Sequence, residues 1–276
     1  MKKHIIIAVI FLLAIPLEWL LILPKAKKIP ADFHYEANVF SLDNFYNEQE
    51  QRFSGEVLSK TKFSYDVIDQ KGDILIVKNL FDVRKPTGEK IFAVERFYGI
   101  NPVTMQHNAN YGDHDRNGYL FAPKYADKQD FVYWHINYDT PALMKFQDEE
   151  VIGNLKVQRY QCLYHADQTR NLGFLPGVGK ERGVELDITL STWIEPETGM
   201  LIKYEDQTIA WYYDLQTKKR INPWNKFHNE YEYSSVLKQI QNAQQLLFKF
   251  NLLKIYLPIL LMILAFIVLM LGYARK

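Results

Sequence analysis

The chain is strongly apolar at its two ends and nowhere else. Ile5 to Leu23 and Ile255 to Tyr273 are each nineteen residues long, enough to cross a hydrocarbon core of roughly 30 Å as helices rising about 1.5 Å per residue. Two crossings return a chain to its starting side, so everything between them lies on one face of the membrane. The expected layout is a tail (1–4), a membrane helix (5–23), a β-rich region (24–233), a juxtamembrane amphipathic helix (234–254), a second membrane helix (255–273) and a tail (274–276).

The first span follows a basic start, Lys2-Lys3-His4, as a secretory signal would. Its apolar run exceeds the usual 7–15 residues of a signal core and ends in Leu23-Pro24-Lys25-Ala26-Lys27-Lys28, without a small-x-small cleavage site. An uncleaved anchor is expected. Lysines and arginines flank both ends of both spans, so charge does not choose the orientation. A large domain translocates largely regardless of charge, which puts the central region outside the cytoplasm of a bacterial inner membrane. Glu18 lies five residues from the outer end of its span, about 7 Å deep at the helical rise. An ionisable group there calls for a partner, for which Lys254 is the candidate, or for snorkelling to the interface beside Pro16 and Trp19.

Between the spans the hydrophobic period is two. Val184, Leu186, Ile188, Leu190, Thr192 and Ile194 alternate with Glu185, Asp187, Thr189, Ser191 and Trp193, the pattern of a half-buried strand. Val57 to Val67 repeats it, with Asp69 to Asp73 as the turn into Ile74 to Val83. Lys85-Pro86-Thr87-Gly88, Gly153-Asn154 and Pro196-Glu197-Thr198-Gly199 turn the chain into further strands at Lys90, Leu155 and Met200. The fold class is therefore mainly β, antiparallel, as one core or two small ones sharing a sheet. Ile100-Asn101-Pro102-Val103-Thr104 and Ile194-Glu195-Pro196-Glu197-Thr198 end strands alike, which raises two similar β halves against the alternative that such turns simply look alike. The period changes before the second span. Val236, Ile240, Ala243, Leu247 and Phe250 form a helical stripe capped by Ser234 or Ser235, continuous with the membrane helix and available for intramolecular packing or for partner helices.

Asp130-Phe131-Val132-Tyr133-Trp134-His135, the run Glu150 to Tyr160, Gly173-Phe174-Leu175-Pro176-Gly177 and Thr192-Trp193-Ile194-Glu195-Pro196-Glu197-Thr198-Gly199 resemble the bacterial porin PorA family. The resemblance runs along most of the chain and implies two end anchors around a polar β-rich domain. It carries over no catalytic residue. A pore is not what the sequence describes, because a membrane barrel needs alternating lipid-facing strands and two apolar helices enclose no channel.

The remaining chemistry is sparse. Asp113-His114-Asp115-Arg116-Asn117-Gly118 opens like a calcium loop, but its twelfth position is Lys124 rather than Glu, so Asp113, Asp115 and Asn117 make at best a weak site and a solvated turn is the better account. Cys162 and His165 are three apart on a strand and point to opposite faces, which argues against a thiol nucleophile. No HExxH, Gly-x-Ser-x-Gly or phosphate-loop motif occurs. Neither enzymatic activity nor a cofactor is expected. With 33 basic and 32 acidic residues interspersed, nucleic acid is not expected as a partner either.

What is left is apolar and aromatic. Phe174, Leu175 and Val178 in a glycine-rich loop, with Trp134 and Trp211, are the candidate lining of a cavity for a lipid-like ligand. Glu18, Lys254, Val236, Ile240 and Leu247 are the candidate contacts with the bilayer or with a membrane-protein partner. The expected function is a non-enzymatic, doubly anchored envelope protein that binds or shields a lipid component. The alternative is an accessory or assembly subunit of a membrane complex.

Overall fold

The computed structural model describes residues 2–22, 28–170 and 181–274. It divides into two compact units, one formed by residues 1–29 with 244–276 and the other by residues 30–243.

The larger unit is a twelve-stranded antiparallel sheet. Its strands are β1 (His34–Asn47), β2 (Arg52–Phe53), β3 (Val57–Lys71), β4 (Ile74–Arg84), β5 (Lys90–Ile100), β6 (His107–Gly112), β7 (Phe131–His135), β8 (Thr140–Ile152), β9 (Leu155–Asp167), β10 (Arg182–Glu195), β11 (Met200–Asp214) and β12 (Arg220–Tyr231). They run across the sheet as β6-β5-β4-β3-β1-β12-β11-β10-β9-β8-β7, with β2 paired to β1. Neighbouring strands are consecutive in the chain except at the centre, where β1 pairs with β3 on one side and with the last strand, β12, on the other.

The two outer strands do not end in open edges. The chain between them passes through Gly118 to Leu120, where the His107 N–H donates to Gly118 O and the Leu120 N–H to Met105 O on one side. On the other side, the Tyr119 N–H donates to Val132 O and the Trp134 N–H to Tyr119 O. Tyr119 thereby bridges both edges and closes the sheet into a barrel, which removes the unpaired backbone groups of an edge strand. Gly118 is required at the seam. Its φ is +77°, and a Cβ there would stand 2.4 Å from Val132 O.

The period-two pattern sets the barrel's inside and outside. Val184, Leu186, Ile188, Leu190, Thr192 and Ile194 all face inward and are buried, as the alternation requires. Tyr35, Phe63, Tyr65, Tyr133, Tyr160 and Tyr204 fill the interior, joined by Leu120, Phe121 and Ala122 from the bridging segment. Phe121 lies against the Tyr35 and Tyr65 rings at 4.5 and 5.3 Å between centroids. Charged side chains such as Lys60, Lys62, Glu95 and Lys145 are exposed on the outer face.

Several expectations need adjustment. The turn after β3 is two residues, Gly72 and Asp73, rather than Asp69 to Asp73. Both strands run further because Ile68 is bulged, and Gly72, at φ +60°, makes the tight turn. The Pro-containing turns after β5 and β10 share one geometry. Asn101 Oδ1 accepts the N–H groups of Val103 and Thr104, while Glu195 Oε1 and Oε2 accept those of Glu197 and Thr198. The strands they end nevertheless belong to a single continuous sheet.

A helical segment, Tyr233 to Ala274, follows β12. Its first part, α2 (Tyr233–Asn251), starts beside β1, where Ser235 Oγ accepts the Asn38 N–H and Gln239 Nε2 donates to Glu36 O. Val236, Ile240 and Ala243 are buried along its stripe and Leu247 is half-buried. A π-helical turn at Leu252–Tyr256 then leads into α3 (Leu257–Ala274). Pro258 has no N–H for the carbonyl four residues back, and the wider π turn sits where that bond would have been.

In the smaller unit, α1 (Lys2–Leu21) and α3 share a seam with heptad spacing. His4, Ala8, Phe11, Ile15 and Glu18 on one side match Pro258, Leu261, Ala265, Val268 and Gly272 on the other by burial. Small residues let the backbones approach, and a Cβ on Gly272 would lie 2.7 Å from that of His4. Glu18 is only 4% exposed, and neither carboxylate oxygen has a hydrogen-bond partner. The expected contact with Lys254 is not made. Lys254 sits exposed on the π turn, while Glu18 turns into the seam.

Candidate functional site

The barrel interior carries a polar network. His135 and Asp206 are fully buried. The Tyr204 hydroxyl donates to Asp206 Oδ2, so its oxygen accepts from His135 Nε2 at 2.5 Å and from Asn137 Nδ2 at 2.9 Å. His135 Nδ1 shares a further hydrogen bond with the Tyr164 hydroxyl. Asn137 and Asn229 donate to the two oxygens of Asp206 at 2.8 Å each. The network ties β7, β9, β11 and β12 together across the interior, with Asn137 Oδ1 as its one buried oxygen left without a hydrogen-bond partner, and it specifies the packing of the aromatic core.

A second cluster surrounds the bridging segment. Arg116, stacked 4.4 Å from the centre of the Tyr98 ring, donates through Nε to Asp139 Oδ1 at 2.9 Å and through Nη1 to Asp113 Oδ1 at 2.5 Å. Trp134 Nε1 donates to the same Asp139 oxygen at 2.6 Å. Burial alone would raise the Asp139 carboxyl, but the hydrogen bond from Arg116 and the charge of Arg96 hold it below the usual range. Asp113 is committed to Arg116 and, through Oδ2, to the Phe97 N–H at 3.0 Å. Its role is to pin the turn, and among the described residues no group of three His, Cys, Asp or Glu could hold a metal ion.

A concavity lies on the outer face of the β unit. A cavity of about 750 Å³ spans β9, β10, β11, β12 and β1, within the size range of small-ligand sites. The register builds it from two rows of outward side chains. Leu163, Thr189, Gln207, His228 and Leu42 are paired in succession across the five strands. Asp187, Ile209, Lys226 and Asn44 form the second row. Five strands at about 4.8 Å spacing make a groove on the order of 19 Å across. Leu163 is 78% exposed in mid-sheet, an unusual position for a leucine with no neighbour covering it.

The candidates chosen from sequence separate in space. Trp134 is buried beneath Arg116 and Asp139. Trp211 is outside at the groove's margin, where Nε1 donates to Asp187 Oδ2 at 2.9 Å and the Arg220 guanidinium covers the ring at 4.9 Å. Arg220 also bonds both Asp187 oxygens and, with burial opposing, holds that carboxyl below its ordinary range. Phe174, Leu175 and Val178 lie outside the described residues. Cys162 faces the interior, where burial pushes its thiol up to about 12, and His165 faces outward onto Asp187 at 3.2 Å, so the two never meet. The groove residues Leu163, Thr189, Gln207, Ile209 and Lys226 were not singled out from sequence, and Leu163 and Ile209, apolar at outward-facing positions, were the available signal.

The family model described as Porin PorA matches residues 4–274. No curated protein matches the chain. Among solved structures, an exported protein with a YmcC-like fold from Bacteroides fragilis is similar at 10% identity over 73% of this chain and 98% of its own, with a TM-score of 0.31. A lipoprotein from Parabacteroides distasonis is similar at 10% identity over 69% of this chain and 92% of its own, also with a TM-score of 0.31.

Proposed function

The chain belongs to the Porin PorA family, and from that premise we propose that it is a non-enzymatic envelope protein whose β domain binds or shields a lipid or lipid-like component. It is held at both ends in the bacterial inner membrane, with the domain outside the cytoplasm. The observation that carries this reading is the outer groove, about 750 Å³, with Leu163 and Ile209 exposed at one end beside the ion-paired Asp187, and with Lys226, His228 and Glu56 at the other. A channel reading has no comparable support. The barrel interior is packed with aromatic side chains, and its outer face is charged where a lipid-facing barrel is apolar.

One observation favours a second reading, the accessory subunit. Glu18 is buried in the α1–α3 seam without a hydrogen-bond partner, and a helix of another subunit that parts the seam would supply one. Native mass spectrometry of the full-length chain separates the two. Phospholipid retained by the wild type and lost in Leu163→Glu, with an unchanged melting temperature, supports the groove, because an exposed side chain contributes little to the core. Equal lipid in both proteins, or none in either, removes it. A defined membrane protein that is retained by the wild type and released by Glu18→Leu puts the accessory role first.

A further inference from the structure

The two ends of the groove differ in chemistry. On β9 and β11 it is lined by Leu163 and Ile209, and on β12 and β1 by Lys226, His228, Asn44 and Leu42, with Glu56 immediately before β3. Asp187 is already saturated by Arg220, Trp211 and His165. His228 Nε2 lies 3.5 Å from Glu205 Oε1.

Lys226 and Glu56 stand apart from these. Among the described residues neither has an oppositely charged partner. The Lys226 ammonium instead lies 4.2 Å from the centre of the Phe53 ring. Asn44 pairs with Lys226, and the neighbouring Asp43 pairs with Val57, so Glu56 and Lys226 flank β1 from opposite sides. Two strand spacings put their Cα atoms roughly 10 Å apart. An unpaired cation and an unpaired anion thus share one end of a groove whose other end carries the exposed Leu163 and Ile209 beside the already ion-paired Asp187.

We infer that the groove selects a zwitterionic amphiphile whose headgroup joins a phosphate to an ammonium. The phosphate is received by Lys226 and the ammonium by Glu56, while the acyl portion lies over Ile209 and Leu163. This rests on reading the groove as a lipid-type site. A purely anionic headgroup would satisfy Lys226 but meet Glu56 as a like charge, whereas a headgroup carrying both signs satisfies both.

The test uses the full-length chain in dodecyl maltoside, titrated with short-chain phosphatidylethanolamine, short-chain phosphatidylglycerol and inorganic phosphate, and read by tryptophan fluorescence. Phosphatidylethanolamine should bind about tenfold more tightly than phosphatidylglycerol, the effect of two partly screened charge contacts acting together. Glu56→Gln should erase that preference by admitting the anionic lipid, and Lys226→Gln should weaken both lipids. Leu163→Ser should weaken both without altering their ratio. Lys226 and Glu56 are exposed, and equal melting temperatures would confirm that the variants fold. Equal binding of the two lipids, with a ratio indifferent to Glu56→Gln, overturns the headgroup inference and leaves the lipid site standing. Inorganic phosphate binding as tightly as phosphatidylethanolamine overturns the amphiphile itself. Binding of no lipid at all removes the lipid reading and this inference together.

Discussion

Ile188 and Thr189 are consecutive on β10, and the structure puts them on opposite sides of the barrel wall. Ile188, 2% exposed, faces inward between Tyr164 and Thr208, while Thr189 faces the groove between Leu163 and Gln207. Replacing each with aspartate therefore makes the same chemical change in two environments one residue apart. At Ile188 the loss of buried aliphatic volume alone is worth about 2–5 kcal/mol. The new carboxylate then has to ionise without a partner or stay protonated among aromatic rings, which adds on the order of 1–3 kcal/mol even after partial compensation. The sum approaches the roughly 5–15 kcal/mol that holds a whole domain together, so Ile188→Asp should leave the β unit largely unfolded. Thr189→Asp exchanges one solvated polar group for another and should cost under about 1 kcal/mol. Thermal melts of both full-length variants, followed by circular dichroism at the β-sheet band, give the comparison. Equal melting temperatures would mean that β10 is out of register by one residue, since a one-residue slip exchanges every inward and outward side chain.

The strands legible in the sequence are those whose inner face is apolar. β10 alternates without a break from Val184 to Ile194, and glycine turns at 72, 153 and 199 locate three hairpins. β1 and β12 escaped notice because their inward faces interrupt Tyr35, Val39 and Tyr231 with polar residues. Ser41 and Asp43 on β1 meet Asn225 and Asn229 on β12, where Asn225 donates to Asp43 at 3.0 Å and Asn229 to Asp206 at 2.8 Å. A hydrophobicity pattern cannot mark a strand whose core is hydrogen-bonded. That same central pair joins the first strand to the last, so the closure of the barrel was equally hidden, as was the role of Gly118 at the seam. The groove was illegible for another reason. It is a property of register, assembled from residues on five strands that share nothing in sequence but their row across the sheet. Trp134 and Trp211 look equivalent as aromatic candidates until tertiary packing covers one with Arg116, Asp139 and His107 and leaves the other at the groove's margin.

Two further outcomes are expected. His107 is held down to about 3 from an ordinary 6.5, first by burial and then by the Arg116 cation, with Asp139 opposing. A histidine depressed in the folded state contributes stability that is complete above 6.5 and is lost as the pH falls toward 3, at about 1.4 kcal/mol per unit. Between pH 7 and 4.5 the wild type should lose roughly 2–3 kcal/mol more than His107→Gln in urea unfolding, and identical pH profiles would show that the ring protonates freely in the folded chain. Orientation can be read from thiol labelling, because the only cysteine is silent. Cys162 is buried and its thiol is pushed up to about 12, whereas maleimides react with the thiolate. A cysteine in place of the exposed loop residue Val103 should take up a membrane-impermeant maleimide in intact spheroplasts, and one in place of Lys3 should react only after permeabilisation. Two crossings require the two sites to lie on opposite faces, so labelling of both from outside would refute the hairpin, and labelling of Lys3→Cys alone would invert it.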